Sequence, residues 1–433
     1  MLIMSNIKNL LYMSSVQMAN YIFPLVTIPI VSRAFGPQNI GLINYVAAIV
    51  GYFSLFVNYS FNYTGVRWLT RNPKDKDKLF WGVFSIQFFI FLLCTIVFYF
   101  CVLFFNGLRD YSWICWVSYF SCLASLFTQN WFLQAYSDFK IIAAISFLTK
   151  LVSFLLIIFL VKDASDLILY VMIVNVVSFL TSLIVFLYAI KRYKIRFILP
   201  DINLIKGLTF DGGYLFFSSV VTNIYTTTGI VMLGALSTKV DVGFYTSAQK
   251  LMDVSKSIIL MPISQIIFPI LSKKFGDGKD FGIYSVRKIL PLFIIISLAF
   301  LFFINSFNHY IVLILFGEKF LPITPLVSIL SIGVFAVFFG VFIGGQVMLN
   351  LGMDRAFLKI QVYIAVFSLI LNFFFIRMGG GVVTAMVWTI SEIVISLYQI
   401  IYLKRKGVDL FTWDILTIKS IKESVNYVLK RKY

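Results

Sequence analysis

The chain has 433 residues, of which 60% are hydrophobic, 18% aromatic and only 12% charged, against roughly 25% charged in an average soluble domain. That composition excludes a soluble globular enzyme and describes a polytopic, all-α membrane protein. The formal net charge of +18 at pH 7 follows from how the basic residues are distributed about the membrane, so no nucleic-acid partner is expected.

Apolar runs long enough to cross a bilayer as helices, about 20 residues each, fall at 10–33, 40–64, 80–105, 112–135, 140–161, 166–190, 209–236, 242–270, 289–308, 321–350, 356–377 and 381–403. They predict twelve transmembrane helices joined by short loops. The first follows Lys8, outruns the apolar region of a signal peptide and has no small-residue cleavage site after it, so it reads as an uncleaved membrane helix. Its stretch "NYIFPLVTIPI" (20–30) carries Pro24 and Pro29, each of which removes a backbone hydrogen bond and is expected to kink the helix. Carbonyls freed in hydrocarbon need neighbours or water, so this helix is expected to line a cavity together with Gln17 and Asn20.

The fourth and fifth runs lead to a cation in an awkward place. "AISFLTKLVSFLLII" (144–158) has Lys150 in its middle, where an ammonium costs at least about 2.5–3.5 kcal/mol on insertion scales. Lys150 lies about twelve residues from both Asp138 and Lys162, roughly 18 Å along a helix, too far for its stem to bring the charge to the interface. It must face a hydrated cavity or meet a buried carboxylate. Cys94 and Cys101 in the third run and Cys115 and Cys122 in the fourth form no C-x-x-C pair, and His309, the single histidine, sits by an outer loop. No metal site, catalytic triad or P-loop is expected from that inventory, and no bound cofactor.

The basic linker "KRYKIRFILPDINLIKG" (191–207) precedes the seventh run, which Asp211 opens. In the eighth, Lys250, Asp253 and Lys256 are spaced i, i+3, i+6 and Ser257 and Ser264 continue the stripe, so one face of this helix is wet. Asp253 can neutralise one lysine, leaving surplus positive charge. Asp253, Asp211 and Glu392 in the last run are the acidic candidates for carrying a driving proton or sodium ion, or for pairing with a lysine. Beyond Lys404, Phe411, Ile415, Ile418, Ile421, Val425 and Val428 recur every three or four residues between Lys419, Lys422, Lys430, Arg431 and Lys432. This basic amphipathic tail (404–433) is expected to lie on the inner membrane surface against anionic lipid.

Most of the 36 Lys and Arg fall on the loops that share a side with the N-terminus, including Arg67, Arg71, Lys74, Lys76 and Lys78 after the second run. The positive-inside bias therefore predicts both termini in the cytoplasm. An internal repeat is also legible: "PQNIGLINY" (37–45) superimposes on "KVDVGFYTS" (239–247) at an offset of 202 that also places "LTRN" (69–72) on "LSKK" (271–274). Two parallel six-helix bundles, 1–200 and 201–403, related by a pseudo-two-fold axis along the membrane normal are expected, with a V-shaped central cavity and rocking between them. A cavity with surplus lysine, aromatic walls and Asn, Gln and Ser groups suits an anionic headgroup carrying sugars. A membrane-embedded polymerase or ligase would need a sizeable outer loop, and "NSFNHYIVLILFGEKF" (305–320) is short and largely apolar. An exporter of cationic drugs would want the opposite sign in its cavity.

The blocks "NYIFPLVTIPIVSRAFGPQNIGLINY" (20–45), "YFSLFVNYSFNYTGVRWLTRN" (52–72), "WFLQAYSDFK" (131–140), "TGIVMLGALSTKVDVGFYTSAQKL" (228–251) and "NFFFIRMGGGVVTAMVWTISE" (372–392) together resemble the bacterial O-antigen and capsule repeat-unit flippases, the polysaccharide transporter branch of the multidrug/oligosaccharidyl-lipid/polysaccharide exporter superfamily. The resemblance runs through essentially the whole chain. It implies movement of an undecaprenyl-pyrophosphate-linked oligosaccharide from the cytoplasmic to the outer leaflet of the bacterial inner membrane, alongside the polymerase and chain-length proteins of the same pathway. It also implies a cationic lumen in which Lys250, Lys150 and Arg67 meet the pyrophosphate, with an ion gradient as driving force. Ser60 and Ala135 stand where members commonly have Gly.

Overall fold

A computed structural model describes residues 2–411 and 417–429, with side chains from residue 22 onward except 225, 261, 265, 266, 418, 419, 425, 426, 428 and 429. Gln17 and Asn20 therefore lie outside the described side chains, as does most of the tail stripe. The described residues are helical almost throughout and contain no strand. The chain divides into two units, Met1–Ala235 and Leu236–Tyr433.

In the first unit, α1 spans Leu2–Asn58 with a single residue of non-helical dihedrals inside it, Gly36 (φ 68°, ψ 177°). A positive φ combined with ψ near 180° is a region that essentially only glycine occupies, and the following Pro37 starts the second leg with its φ preset. This break falls between the expected runs 10–33 and 40–64. Helical dihedrals persist through Pro24 and Pro29, where the Thr27 hydroxyl donates to the Pro24 carbonyl at 3.0 Å. There follow α2 Phe61–Arg71, α3 Lys76–Phe104, α4 Asn106–Arg109, α5 Ser112–Phe127, α6 Asn130–Ala135, α7 Phe139–Leu160, α8 Leu167–Tyr193 and α9 Ile202–Leu236.

Helix α3 shows how an apolar sequence sorts its faces. Phe89, Leu93, Ile96, Phe100 and Phe104 are exposed at three- or four-residue intervals, while Val83, Cys94, Phe98 and Val102 are buried. The exposed stripe is the one that lipid covers, and the buried one packs on the bundle. The expected run 112–135 is two helices, α5 and α6, parted at Thr128 and Gln129. Gln129 is fully buried, donating to the Gln87 side chain and the Leu126 carbonyl and accepting from the Trp131 indole. A fully satisfied polar knot of this kind is stable in a low-dielectric interior. It ends α5 after 16 residues, about 24 Å.

In the second unit come α10 Lys239–Asp277, α11 Lys279–Phe316, α12 Thr324–Gly340, a π-helical turn Val341–Met348, α13 Asp354–Arg405 and α14 Ile418–Leu429. Helix α13 breaks at Gly379 and Gly380 (φ 53°, ψ −128°), between the expected runs 356–377 and 381–403. Counted by length and apolarity alone, eight helices among the described residues can cross a membrane, or nine if the bent α9 is one span. The expected twelve is not reached by this count, because α1 and α13 each hold two runs and α5 is short.

Helix α14 packs against α11. Glu423 pairs with Lys288, and the Tyr427 hydroxyl donates to Ser285 Oγ at 2.8 Å, while Arg287 holds the Asp409 carbonyl. The described part of the tail is thus tied to a neighbouring helix, beyond the lipid contact its pattern predicts. The Lys288 and Glu423 side chains are 27% and 39% exposed, so their pairing contributes about 1 kcal/mol at most. Glu423→Lys is expected to raise the rate of proteolysis in the tail about fivefold, the factor that energy implies. The Lys288→Glu/Glu423→Lys swap should restore protection, and equal cleavage rates throughout would show that the pair does not hold the helix.

Candidate functional site

Lys150 sits near the middle of α7, roughly 15 Å from either end. The face it shares with Phe147 and Phe154, one turn to each side, meets the first leg of α1, where Phe23 contacts Phe147 edge-on (5.5 Å, 64°) and Phe154 at a tilt (5.7 Å, 58°). The side chain is half-buried. Among the described residues it has no hydrogen bond and no ion pair. Polarity continues on the neighbouring α8, where Thr149 bonds Thr181 at 3.0 Å. The carboxylate alternative raised by the sequence finds no candidate within the described part of this unit.

Arg67 and Asp211 come together at the other expected cation site. Asp211 Oδ2 accepts from the Trp68 indole at 3.0 Å and lies 4.0 Å from Arg67 Nη2. Both charged side chains are about half exposed, so this is a solvated pair that leaves Asp211 accessible. Ser60 is buried and donates to the Gly212 carbonyl at 2.9 Å. Its hydroxyl thus links α2's start to α9.

In the second unit the wet face of α10 is organised. Lys256 Nζ lies 2.7 Å from Asp253 and 5.4 Å from the centroid of the Trp388 ring on α13. The cation is balanced by a carboxylate and by the negative face of an indole. Glu392 follows Trp388 by one turn on the same helix, and Lys250 is exposed one turn before Asp253. Among the described residues no three His, Cys, Asp or Glu side chains gather as metal ligands, and the four cysteines are free thiols.

Two features escaped the sequence reading. Gly380 abuts Asp241, the carboxylate in the first turn of α10, so closely that a Cβ there would stand 2.8 Å from Asp241 Oδ2. Beside the π-helical turn, Gln399 is fully buried with neither amide atom partnered among the described residues, and Gln346 Oε1 is in the same state. Such groups cost about 1–3 kcal/mol each unless water reaches them, and π-turns concentrate at functional positions. The triple glycine at 379–381 and two isolated glutamines in apolar runs were the available signals.

A family model described as polysaccharide biosynthesis protein matches residues 7–275. Two curated relatives are each called putative O-antigen transporters. That of Escherichia coli (strain K12) is 24% identical over 369 residues, 84% of this chain and 89% of the relative. That of Shigella dysenteriae is 24% identical over 287 residues, 65% and 71% respectively. Among solved structures, the lipid II flippase MurJ in an inward closed conformation superposes with a TM-score of 0.71 at 13% identity, covering 98% of this chain and 91% of that one. An inward-facing multidrug resistance MATE family transporter of the MOP superfamily gives 0.63 at 12% identity, covering 92% and 98%. At such identities the likeness is one of fold.

Proposed function

The chain belongs to the polysaccharide biosynthesis protein family, and from that premise we propose that it is a flippase for surface-polysaccharide repeat units, of O-antigen or capsule, and not an enzyme. Its substrate is an undecaprenyl-pyrophosphate-linked oligosaccharide, carried from the cytoplasmic to the outer leaflet of the bacterial inner membrane by alternating access, with both termini in the cytoplasm. The observation that carries this reading is Lys150, a mid-helix ammonium without an ion-pair partner among the described residues. Such a charge is costly in hydrocarbon and becomes favourable when a pyrophosphate passes. Lys250, Lys256 and Arg67 are the further cations of this reading, Lys256 resting beside Asp253 and Arg67 beside Asp211 until a phosphate competes for them, with Gln17 and Asn20 as polar groups of the first helix. Pro24 and Pro29 give that helix its freedom to bend. The polymerase and chain-length proteins of the same pathway are the partners downstream.

The deciding experiment locates lipid-linked repeat units after deletion of the gene. Single units trapped in the inner leaflet support translocation; units displayed outside but unpolymerised would assign the chain to polymerisation instead. Coupling belongs to the same reading. Asp253, Glu392 and Asp211 are the candidates for a driving H⁺ or Na⁺, and of these Asp253 and Glu392 flank the Lys256–Trp388 contact. In vesicles under an imposed pH or sodium gradient, Asp253→Asn or Glu392→Gln is expected to abolish the gradient-dependent part of transport while leaving folded protein. A gradient response unchanged in both variants rejects these two carriers.

A further inference from the structure

A pocket in the second unit, set apart from the groups above, opens between the two legs of α13. Its volume is about 300 Å³, and its polar lining is Arg355, Lys359 and Tyr363 from the first leg and Tyr398 and Tyr402 from the second. The spacings are i, i+4, i+8 on one leg and i, i+4 on the other, so each set forms a single row down its helix and the rows face each other. Ile360 supplies an apolar wall.

None of these five polar side chains has a hydrogen bond, ion pair or ring contact among the described residues. By contrast, the hydroxyls of Tyr188 and Tyr193 both donate to Asp138, and Lys288 meets Glu423. Two cations and three phenols therefore converge on one cavity with their donors unspent.

Depth identifies what they await. Arg355 is the second residue of α13 and Tyr402 the fourth from its end, which places the pocket at helix-end level, where headgroups lie and tyrosines collect. Lys404, Arg405 and Lys406 extend the positive field at the same level, and Asp354 does not line the pocket. We infer that this pocket binds the phosphate of an anionic glycerophospholipid, with Arg355 and Lys359 on the phosphate oxygens, the phenols donating to phosphate or glycerol, and the acyl chains running along the exposed face of α13. Basic pockets between membrane helices hold acidic headgroups in this manner. That the lipid comes from the cytoplasmic leaflet rests on the orientation proposed above; the binding itself does not.

The test uses the full chain, delipidated in detergent and titrated with phosphatidylglycerol, phosphatidylcholine or undecaprenyl pyrophosphate, with occupancy read by native mass spectrometry. Phosphatidylglycerol is expected to bind in preference to phosphatidylcholine, and Arg355→Gln/Lys359→Gln to weaken it by about tenfold or more, since each basic group at a charged membrane surface adds severalfold. Lys359→Gln alone, a milder change, should give an intermediate loss and keeps the test open if the double variant does not fold. Equal binding of the two phospholipids, or affinity unchanged in a folded variant, overturns the inference. So does a preference for undecaprenyl pyrophosphate that the same substitutions abolish, because the pocket would then serve the transported lipid. A loss of phosphatidylglycerol binding with normal flipping would leave the transport reading untouched.

Discussion

Lys150→Gln is expected to cut surface polymer about 30-fold or more, while Lys150→Arg keeps a substantial part of it. The magnitude corresponds to the roughly 2 kcal/mol or more that a charge-assisted contact with phosphate contributes in a desolvated setting. Arginine restores the charge and the donors, though not the point-like geometry of an ammonium. Stability should move the other way. A half-buried ammonium with no ion-pair partner among the described residues destabilises the resting protein, and replacing it by a neutral side chain of similar length should leave thermal stability equal or higher. Loss of polymer with unimpaired folding is the signature of a functional charge. Normal polymer in Lys150→Gln would sink the counter-ion role, and loss of both polymer and folded protein would make Lys150 structural.

Lys150 also shows what the sequence could disclose. An isolated charge amid 14 apolar or neutral neighbours in the 144–158 stretch is visible without coordinates, because hydrocarbon makes it expensive. The breaks of α1 and α13 were equally visible, since Gly36–Pro37 and Gly379–Gly381 interrupt otherwise continuous apolar runs. Helix ends were less so. The run 289–308 became α11 Lys279–Phe316, because hydropathy marks where hydrocarbon begins whereas backbone hydrogen bonding continues through charged turns such as those at Arg287 and Lys288. The division of α5 from α6 was obscured for another reason: the run 112–135 is apolar enough to read as one helix, and the break at Gln129 rests on a fully buried amide satisfied by Gln87 and Trp131, a tertiary pairing that hydropathy does not register. Pairings over long sequence separations, Arg67 with Asp211 or Lys256 with Trp388, depend on the rotation of each helix about its axis, which periodicity alone leaves open to several solutions.

The same lesson bears on Gly380, where a backbone requirement and a polar site coincide. Gly380→Val is expected to cost about 3 kcal/mol or more, from a dihedral pair that β-branched residues avoid together with a steric conflict. For a unit of this size that is a fall of roughly 10 °C in midpoint. The conflict is specific, since a Cβ at Gly380 would stand 2.8 Å from Asp241 Oδ2 and 3.0 Å from Ser237 Oγ. Asp241 Oδ2 already accepts from Ser237 and Thr238, and Thr238 caps α10 by accepting from the Asp241 amide. A side chain at 380 can be accommodated only by displacing that carboxylate and loosening the start of the helix that carries Lys250, Asp253 and Lys256. Gly380→Ala combined with Asp241→Ala separates the two costs. If the contact matters, the pair should be less destabilised than the sum of the single changes by about 0.5 kcal/mol or more, with the dihedral cost remaining. Strict additivity would mean that the carboxylate yields freely and that only the backbone holds glycine at this position.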